Sequence, residues 1–263
     1  MTRRIPLPRT LLAACLLGAA LAAPARQASP DTGYLAAEAL PDGVALVPPP
    51  PAPGSAEEAR DQAHMQAALA LRDRPRFAQA RTDADLDFPQ AAALFECALG
   101  VPVDAQRTPA TLRLLQRSLV DAARSTRGAK QKYQRPRPFL ANGAPTCTPE
   151  EEASLRDSGS YPSGHAAIGW AWALTLAAAA PERGDALLAR GREFGDSRVV
   201  CNVHWRSDVE QGQLLGTATF LRLLAEPAFR ADLEAATTEL AALRRAGATP
   251  ARACPVPAAL AAL

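Results

Sequence analysis

The stretch GSYPSGHAAIGWAWAL, residues 159–174, decides how the rest of the chain can fold. Pro162 and Gly164 are typical of a turn, and Ser163 between them can cap the first free amides of a helix. From Ala166 to Ala180 the residues carry no charge, and this run is too short to span a bilayer. The sequence therefore predicts a central core helix over about residues 163–180, with His165 at its mouth.

Helix caps mark further helices on both sides of this stretch. Ser55 and Glu58 have the spacing of a capping box, which predicts a helix to about Leu71. Thr108 and Pro109 begin a helix that Gly128 is placed to end. Its apolar residues recur every three or four positions, at Leu112, Leu115, Leu119 and Ala122. Helices are also predicted to begin at Pro89 and Thr148 and to cover residues 181–194, 204–225 and 227–245.

Composition supports a helical assignment. Alanine is abundant, aromatic residues make up 5% of the chain, and no segment alternates with a period of two. We find no internal repeat. We therefore predict an all-α globule of roughly eight helices over residues 55–245. The proline-rich residues 26–54, which include VPPPPAPG, predict an extended arm, and residues 246–263 predict a flexible C-terminal tail.

The N-terminus has the order of a secretory signal peptide over residues 1–25. Arg3, Arg4 and Arg9 precede an apolar run from Leu11 to Ala23 that ends in small residues. This predicts a periplasmic or secreted protein with no membrane segment after cleavage. An uncleaved anchor is disfavoured because the run is short, and a lipoprotein box ending at Cys15 is disfavoured because very little apolar sequence precedes it.

Of the five cysteines, Cys15 would leave with the signal peptide and four would remain. In an exported chain four cysteines predict two disulfides, with three possible connectivities. Our prediction pairs Cys97 with Cys147 and Cys201 with Cys254. A zinc site is the alternative, but the sequence has no CxxC pair and no Cys/His cluster to support it.

The formal net charge of +2 shows no basic excess of the kind that marks a nucleic-acid binder, so an acidic ligand must be met by local basic groups. A basic cluster from Lys130 to Arg137 follows a predicted helix end and is held extended by two prolines. At the second cluster, Ser163 and Gly164 place free amides at a helix start, where an anion is favoured.

The third cluster contains Arg198, His204 and Asp208. If His204 opens a helix, Asp208 lies four residues on and can fix the imidazole tautomer. Fixed cations, an anion-binding helix start and an oriented histidine together suit phosphoryl transfer. The third histidine of the chain, His64, has no predicted partner, and we interpret it as structural or exposed.

The order Lys130-x6-Arg137-Pro138, Pro162-Ser163-Gly164-His165 and Ser197-Arg198-x5-His204-x3-Asp208 resembles the three-part signature of the PAP2 phosphatase and vanadium haloperoxidase superfamily. The flanking sequences GSYPSGH and GDSRVVCNVHWRSDVEQG are similar to those of bacterial class A non-specific acid phosphatases in particular. The likeness reaches from the proline-rich arm to about Leu240. Ala166 stands where many relatives carry threonine.

The resemblance implies a role for each signature residue. His204 would be the nucleophile that forms a phosphohistidine, with Asp208 as its orienting partner, and His165 would protonate the leaving alcohol and then activate water. The phosphate oxygens would be bound by Lys130, Arg137, Ser163, Gly164 and Arg198. No metal or other cofactor is implied. The substrates would be small phosphate monoesters over a broad range that can include nucleotides, and relatives are often homo-oligomers.

Three alternatives remain at this point. A vanadate-dependent haloperoxidase shares the signature, although its chains are typically much longer. A membrane lipid-phosphate phosphatase shares it too, but needs several spanning helices. A non-catalytic phosphate-binding protein would keep the same residues without turnover.

Overall fold

The computed structural model describes Met1 and residues 32–254. Met1 aside, the predicted signal peptide with Cys15, the first residues of the arm and residues 255–263 of the tail lie outside the described residues. Within the described part the chain forms helices and no strand. The α-helices are α1 Gly43–Leu46, α2 Ala56–Leu69, α3 Pro75–Thr82, α4 Glu96–Leu99, α5 Pro109–Ser125, α6 Arg127–Tyr133, α7 Pro138–Asn142, α8 Glu152–Arg156, α9 Gly164–Ala179, α10 Gly184–Val200, α11 Arg206–Leu223 and α12 Pro227–Arg245. Short 3₁₀ helices cover Ala37–Ala39, Gln90–Phe95, Pro149–Glu151 and Pro181–Arg183. The predicted all-α fold is confirmed.

Helix α9 is the centre of the fold, as its sequence predicts. It packs against α5, α10, α11 and α12. Its Trp172 is fully buried, and the indole Nε1 donates to the carbonyl of Leu115 at 2.9 Å, so its polar atom is satisfied. Burying a side chain of this kind stabilises the fold by roughly 1.5–3 kcal/mol. In the described part of the chain, no helix combines the length and the apolar character needed to cross a bilayer.

Two glycines bring α11 close to the start of α9. A Cβ atom on Gly212 would lie 2.4 Å from the carbonyl oxygen of Ser163, and one on Gly216 would lie 2.5 Å from that of Ala167. Only glycine allows this approach without a shift of backbone. The second and third turns of α11 therefore pack directly on the first turn of α9.

Several helix boundaries differ from the sequence prediction. Helix α10 continues past Phe194 to Val200, and the residues of this extension are buried from Ser197 onward, so it is packed into the fold. The long helix α5 ends at Ser125, and α6 begins two residues later, so Gly128 lies inside a helix and does not end one. Of the predicted capping box, Ser55 does accept from the Glu58 amide at 3.1 Å, but the Glu58 carboxylate accepts from the Gly54 amide instead of from Ser55.

Residues 32–54 of the arm are fastened to the helical domain. The Asp121 carboxylate on α5 accepts from the amides of Tyr34 and Leu35, at 2.7 and 3.2 Å. The Tyr161 hydroxyl donates to the carbonyl of Pro48 at 2.7 Å. The arm contains one 3₁₀ turn and the short helix α1, which Asp42 caps. The C-terminal part of the arm therefore contacts Tyr161, which directly precedes the Pro162–Gly164 turn at the start of α9.

The predicted disulfide pairing is wrong. The disulfides join Cys97 to Cys254 and Cys147 to Cys201, with Cα atoms 5.5 and 4.7 Å apart. The pairing depends on which segments the tertiary fold brings together, since the bridges span 157 and 54 residues. One bridge ties the tail to α4. The other ties the segment before α8 to the end of α10.

Candidate active site

The predicted site residues lie on or next to five helices that meet at the start of α9. The elements that carry them are α6 with Lys130, the residue before α7 with Arg137, the α9 start with Ser163, Gly164 and His165, the last turn of α10 with Arg198, the α10–α11 connection with His204, and the first turn of α11 with Asp208. The Ser163 amide donates to the Asp208 carbonyl at 2.9 Å, which joins the α9 and α11 starts directly. The fold thus brings all eight predicted residues together.

His204 and Asp208 form the predicted pair, by a different local geometry. His204 does not open a helix, because α11 begins at Arg206. Asp208 lies in the first turn of α11, where one carboxylate oxygen accepts from the Trp205 amide at 2.8 Å and faces Nδ1 of His204 at 3.3 Å. Both side chains are buried. With the Nδ1 proton held by the carboxylate, the electron pair of the neutral ring lies on Nε2.

Arg137 contacts that second nitrogen. Its Nη1 lies 3.2 Å from Nε2 of His204 and also donates to the Val203 carbonyl at 2.9 Å, while its Nη2 donates to the Ser158 hydroxyl at 2.9 Å. Burial lowers the pKa of Arg137 to about 10, and Asp208 opposes that shift. The group therefore stays charged at neutral pH. It places a fixed cation beside the nitrogen that would meet a phosphate.

Arg198 is the strongest evidence for an anion site. Its side chain is 1% exposed, yet its Nε and Nη1 atoms have no hydrogen-bond partner in the described part of the chain. A buried guanidinium with free donors is costly unless a ligand completes it. Burial lowers the pKa of Arg198 to about 10, so the group is still a cation. A bound oxyanion would satisfy both atoms.

Lys130 supplies a third positive charge. It lies within α6, and the predicted extended position past a helix end is wrong for this residue, because the turn comes at Gln134, where φ is 44°. Its Nζ donates to the carbonyls of Gly159 and Ser160 at 2.9 and 3.3 Å. Burial first, and then the Arg137 charge, lowers the pKa of Lys130 to about 7.

His165 follows the cap of α9. The Ser163 hydroxyl accepts from the Ala166 amide at 3.2 Å, and the amides before it are at the positive end of the helix. Nε2 of His165 lies 3.0 Å from the Ala84 carbonyl, so Nε2 carries the proton and Nδ1 is the free ring nitrogen. Burial, and next the Arg198 charge, lowers the pKa of His165 well below its usual value.

The pKa of His204 is also well below its usual value. Burial lowers it most, followed by the charges of Arg137, Lys130 and Arg198.

Arg135, Asp61 and Ser207 are site residues that the sequence reasoning missed. Arg135 donates to the free oxygen of Asp208 at 2.7 Å and to Asp61 at 2.8 Å. Asp61, fully buried on α2, also accepts from the amide of Ser207 at 2.8 Å and from its hydroxyl at 2.5 Å. Burial raises the pKa of Asp208, while Arg135 and the Trp205 amide oppose that shift by favouring the carboxylate. Arg135 lies inside the basic cluster from Lys130 to Arg137, but nothing in the sequence links it to Asp61.

The donor set does not suit a metal ion. Among residues 32–254, no group of three or more His, Cys, Asp or Glu side chains is placed to hold one. The charges that surround His204 are the cations Lys130, Arg137 and Arg198, which repel a metal and attract an oxyanion. The arrangement can bind a tetrahedral anion between these cations and the α9 start, with a nucleophilic nitrogen beside it.

Several known proteins are similar in sequence to this chain over most of its length. Residues 115–229 match the PAP2 superfamily. A non-specific acid phosphatase of Providencia stuartii is 41% identical over 217 residues, which are 82% of this chain and 88% of the relative. One of Salmonella typhimurium is 40% identical over 74% of this chain and 78% of the relative. An acid phosphatase of Zymomonas mobilis is 36% identical over 80% of this chain and 79% of the relative. These three relatives are acid phosphatases, and the chain therefore belongs to the PAP2 superfamily.

Proposed function

We propose that this protein is an exported, metal-independent acid phosphatase that hydrolyses small phosphate monoesters through a phosphohistidine at His204. The observation that carries the proposal is the buried Arg198, whose Nε and Nη1 have no hydrogen-bond partner among the described residues and whose charge acts on His204 of the His204–Asp208 pair. The relatives named acid phosphatases support the activity. The two disulfides support export, since such bonds persist in oxidising compartments.

In the first step the phosphoryl group moves from the alcohol to His204. Its phosphate oxygens are held by Lys130, Arg137 and Arg198 together with Ser163 and Gly164 at the start of α9. Nε2 of His204 attacks phosphorus, the bond from phosphorus to the alcohol oxygen breaks, and that oxygen takes a proton from His165. Asp208 stabilises the positive charge that the ring of His204 acquires.

His165 must be protonated for this step, although in the empty site its pKa lies well below the usual value. Arg198 and Lys130 contribute to that depression, and a bound phosphate anion offsets their charge. Substrate binding therefore raises the pKa of His165 toward the protonated state. The acid is charged when the anion is present, which suits an acidic working pH.

In the second step water hydrolyses the phosphohistidine. The neutral His165 takes a proton from the water, the water oxygen bonds to phosphorus, and the bond from phosphorus to Nε2 breaks. Inorganic phosphate leaves and both histidines return to their starting states. The three cations stabilise charge on the equatorial oxygens in both steps, which is the part that a metal ion plays in other phosphatases.

The test is hydrolysis of p-nitrophenyl phosphate by the purified mature protein between about pH 4 and 8 with EDTA present, beside the His204→Ala variant. We expect metal-independent turnover at acidic pH that is lost in the variant. A wild type that is inactive in EDTA and recovers with a divalent cation would contradict the metal-independent mechanism. A wild type that binds phosphate without turnover would favour the non-catalytic alternative.

A further inference from the structure

A cleft of about 560 Å³ adjoins the acid–base histidine. One of its lining residues is Ala84, whose carbonyl oxygen lies 3.0 Å from Nε2 of His165. Another is Glu151, whose negative charge acts on both Arg198 and Arg137. The cleft therefore lies on the Nε2 side of His165, and the charge of Glu151 in its wall acts on two of the phosphate-binding arginines, so the cleft borders the place where a phosphate ester would bind.

The cleft is lined by more negative than positive charge. Its carboxylates are Asp85, Asp87, Glu150 and Glu151. The basic residue among its lining groups is Arg81, which pairs with Glu150 at 3.5 Å while both side chains are more than half exposed, at 63% and 60%. In residues 32–254, no arginine or lysine pairs with Asp85, Asp87 or Glu151.

Two of these carboxylates are held in place by local hydrogen bonds. Asp85 accepts from the amide of Asp87 at 2.8 Å. Glu151 accepts from the hydroxyl of the buried Thr148 at 2.8 Å, and Thr148 directly follows Cys147 of the disulfide with Cys201. The disulfide joins this wall of the cleft to the segment between Arg198 and His204. The negative charges are therefore fixed relative to the reacting centre.

We propose that this cleft is the leaving-group subsite, and that it favours phosphate monoesters of cationic or neutral alcohols over monoesters of anionic alcohols. The inference rests on the proposed function, since it assigns the substrate class for the same site. The phosphate itself is attracted by Lys130, Arg137 and Arg198, whereas a second negative charge on the alcohol would be repelled by the carboxylates that line the cleft. A positive charge on the alcohol would instead form ion pairs with these carboxylates.

The test compares three phosphate esters whose alcohols have two carbons and differ in charge. These are 2-aminoethyl phosphate, 2-hydroxyethyl phosphate and phosphoglycolate, assayed at about pH 6 and low ionic strength, where the amine and the carboxylate are both ionised. We expect kcat/KM to fall in that order, with roughly a tenfold difference between the cationic and the anionic ester, the size expected from two or three exposed charge pairs. High salt should reduce the difference, because the charges are exposed.

The double variant Asp85→Asn, Glu151→Gln should reduce the ratio of the cationic to the anionic ester to within about twofold. Asp185→Asn is the matched control: it removes an exposed carboxylate outside the cleft and should leave the ratio as in the wild type. Equal kcat/KM for the three esters, or a ratio that the double variant does not change, would overturn the inference while leaving the phosphatase activity intact. Absence of turnover on all three would overturn the proposed function, and this inference with it.

Discussion

Nη1 of Arg137 lies 3.2 Å from Nε2 of His204, the ring nitrogen that the Asp208 contact leaves without a proton. An N–H of the guanidinium therefore donates to the electron pair that would attack phosphorus. In the proposed mechanism, a phosphate that enters the site would take this donor for its own oxygens, which would free Nε2. The arginine would thus cover the nucleophile in the empty site and bind the substrate in the occupied one.

Substitutions of His204 and His165 should block different steps of the reaction. His204→Ala should abolish phosphoenzyme formation, because the nitrogen that accepts the phosphoryl group is gone. His165→Ala should still form the phosphoenzyme from 2,4-dinitrophenyl phosphate, whose leaving group needs no proton. Acid-quenched labelling with the ³²P-ester measures both. Equal loss of the phosphoenzyme in both variants with this ester would contradict the separation of roles.

Anion binding should weaken as the pH rises through about 7, the pKa to which burial lowers Lys130. The protonated lysine attracts an anion, so the attraction is complete below that pKa and is lost above it. Sulfate is a suitable probe because its charge does not change over this range. Between pH 7 and 8 its inhibition constant should rise by roughly five- to tenfold.

Lys130→Arg is the control for that measurement. Arginine keeps its charge at these pH values, so the inhibition constant for sulfate should become nearly independent of pH. If the variant and the wild type show the same loss of sulfate binding above pH 7, a group other than Lys130 controls the site.

Helix existence could be predicted from sequence more reliably than helix ends. The uncharged run after His165 and the Pro227–Arg245 helix are local patterns, and the structure has helices at Gly164–Ala179 and Pro227–Arg245. The end of α10 and the separation of α5 from α6 depend on packing between distant segments. The disulfide pairing depends on the same packing, so the prediction that joined Cys97 to Cys147 was wrong.

The site could be predicted where function requires a particular residue type at a fixed spacing. His204 and Asp208 are four residues apart, and the sequence suggested their contact even though α11 begins later than expected. Asp61 could not be found in this way, because it contacts Ser207 across 146 residues and no motif on its helix points to that contact. Long-range partners of this kind have no signature in a single sequence.

Arg135 should be required to position Asp208. The two terminal nitrogens of its guanidinium donate to Asp208 and to Asp61, respectively. The single ammonium group of lysine cannot replace both contacts. Arg135→Lys should therefore lower kcat by about 10- to 100-fold, with a smaller change in KM. Arg135→Ala should also lower the free energy of unfolding by about 3–5 kcal/mol, because it leaves two buried carboxylates without their partner.

Arg60→Ala is the matched control for Arg135, since Arg60 pairs with Glu210 at 2.6 Å but is about half exposed, at 49%. Its loss should change the free energy of unfolding by less than about 1 kcal/mol and leave kcat as it is. Partial recovery of kcat when guanidine is added to Arg135→Ala would separate positioning from stability. A kcat for Arg135→Lys equal to that of the wild type would show that Asp208 is held without the guanidinium.

Close packing of α11 on the start of α9 should be as important as the charged groups. In Gly212→Ala the new Cβ would lie 2.4 Å from the Ser163 carbonyl, so the helices must separate, and overpacking of this kind costs about 1–3 kcal/mol. Because the Ser163 amide donates to the Asp208 carbonyl, the separation should also lower kcat.

Gly184→Ala introduces the same methyl group where no atom lies within 4 Å, and should preserve kcat and keep or slightly raise the melting temperature. Thermal unfolding and p-nitrophenyl phosphate assays of the two variants measure both effects. A Gly212→Ala protein as stable and as active as Gly184→Ala would show that the two helix starts can move apart without harm to the site.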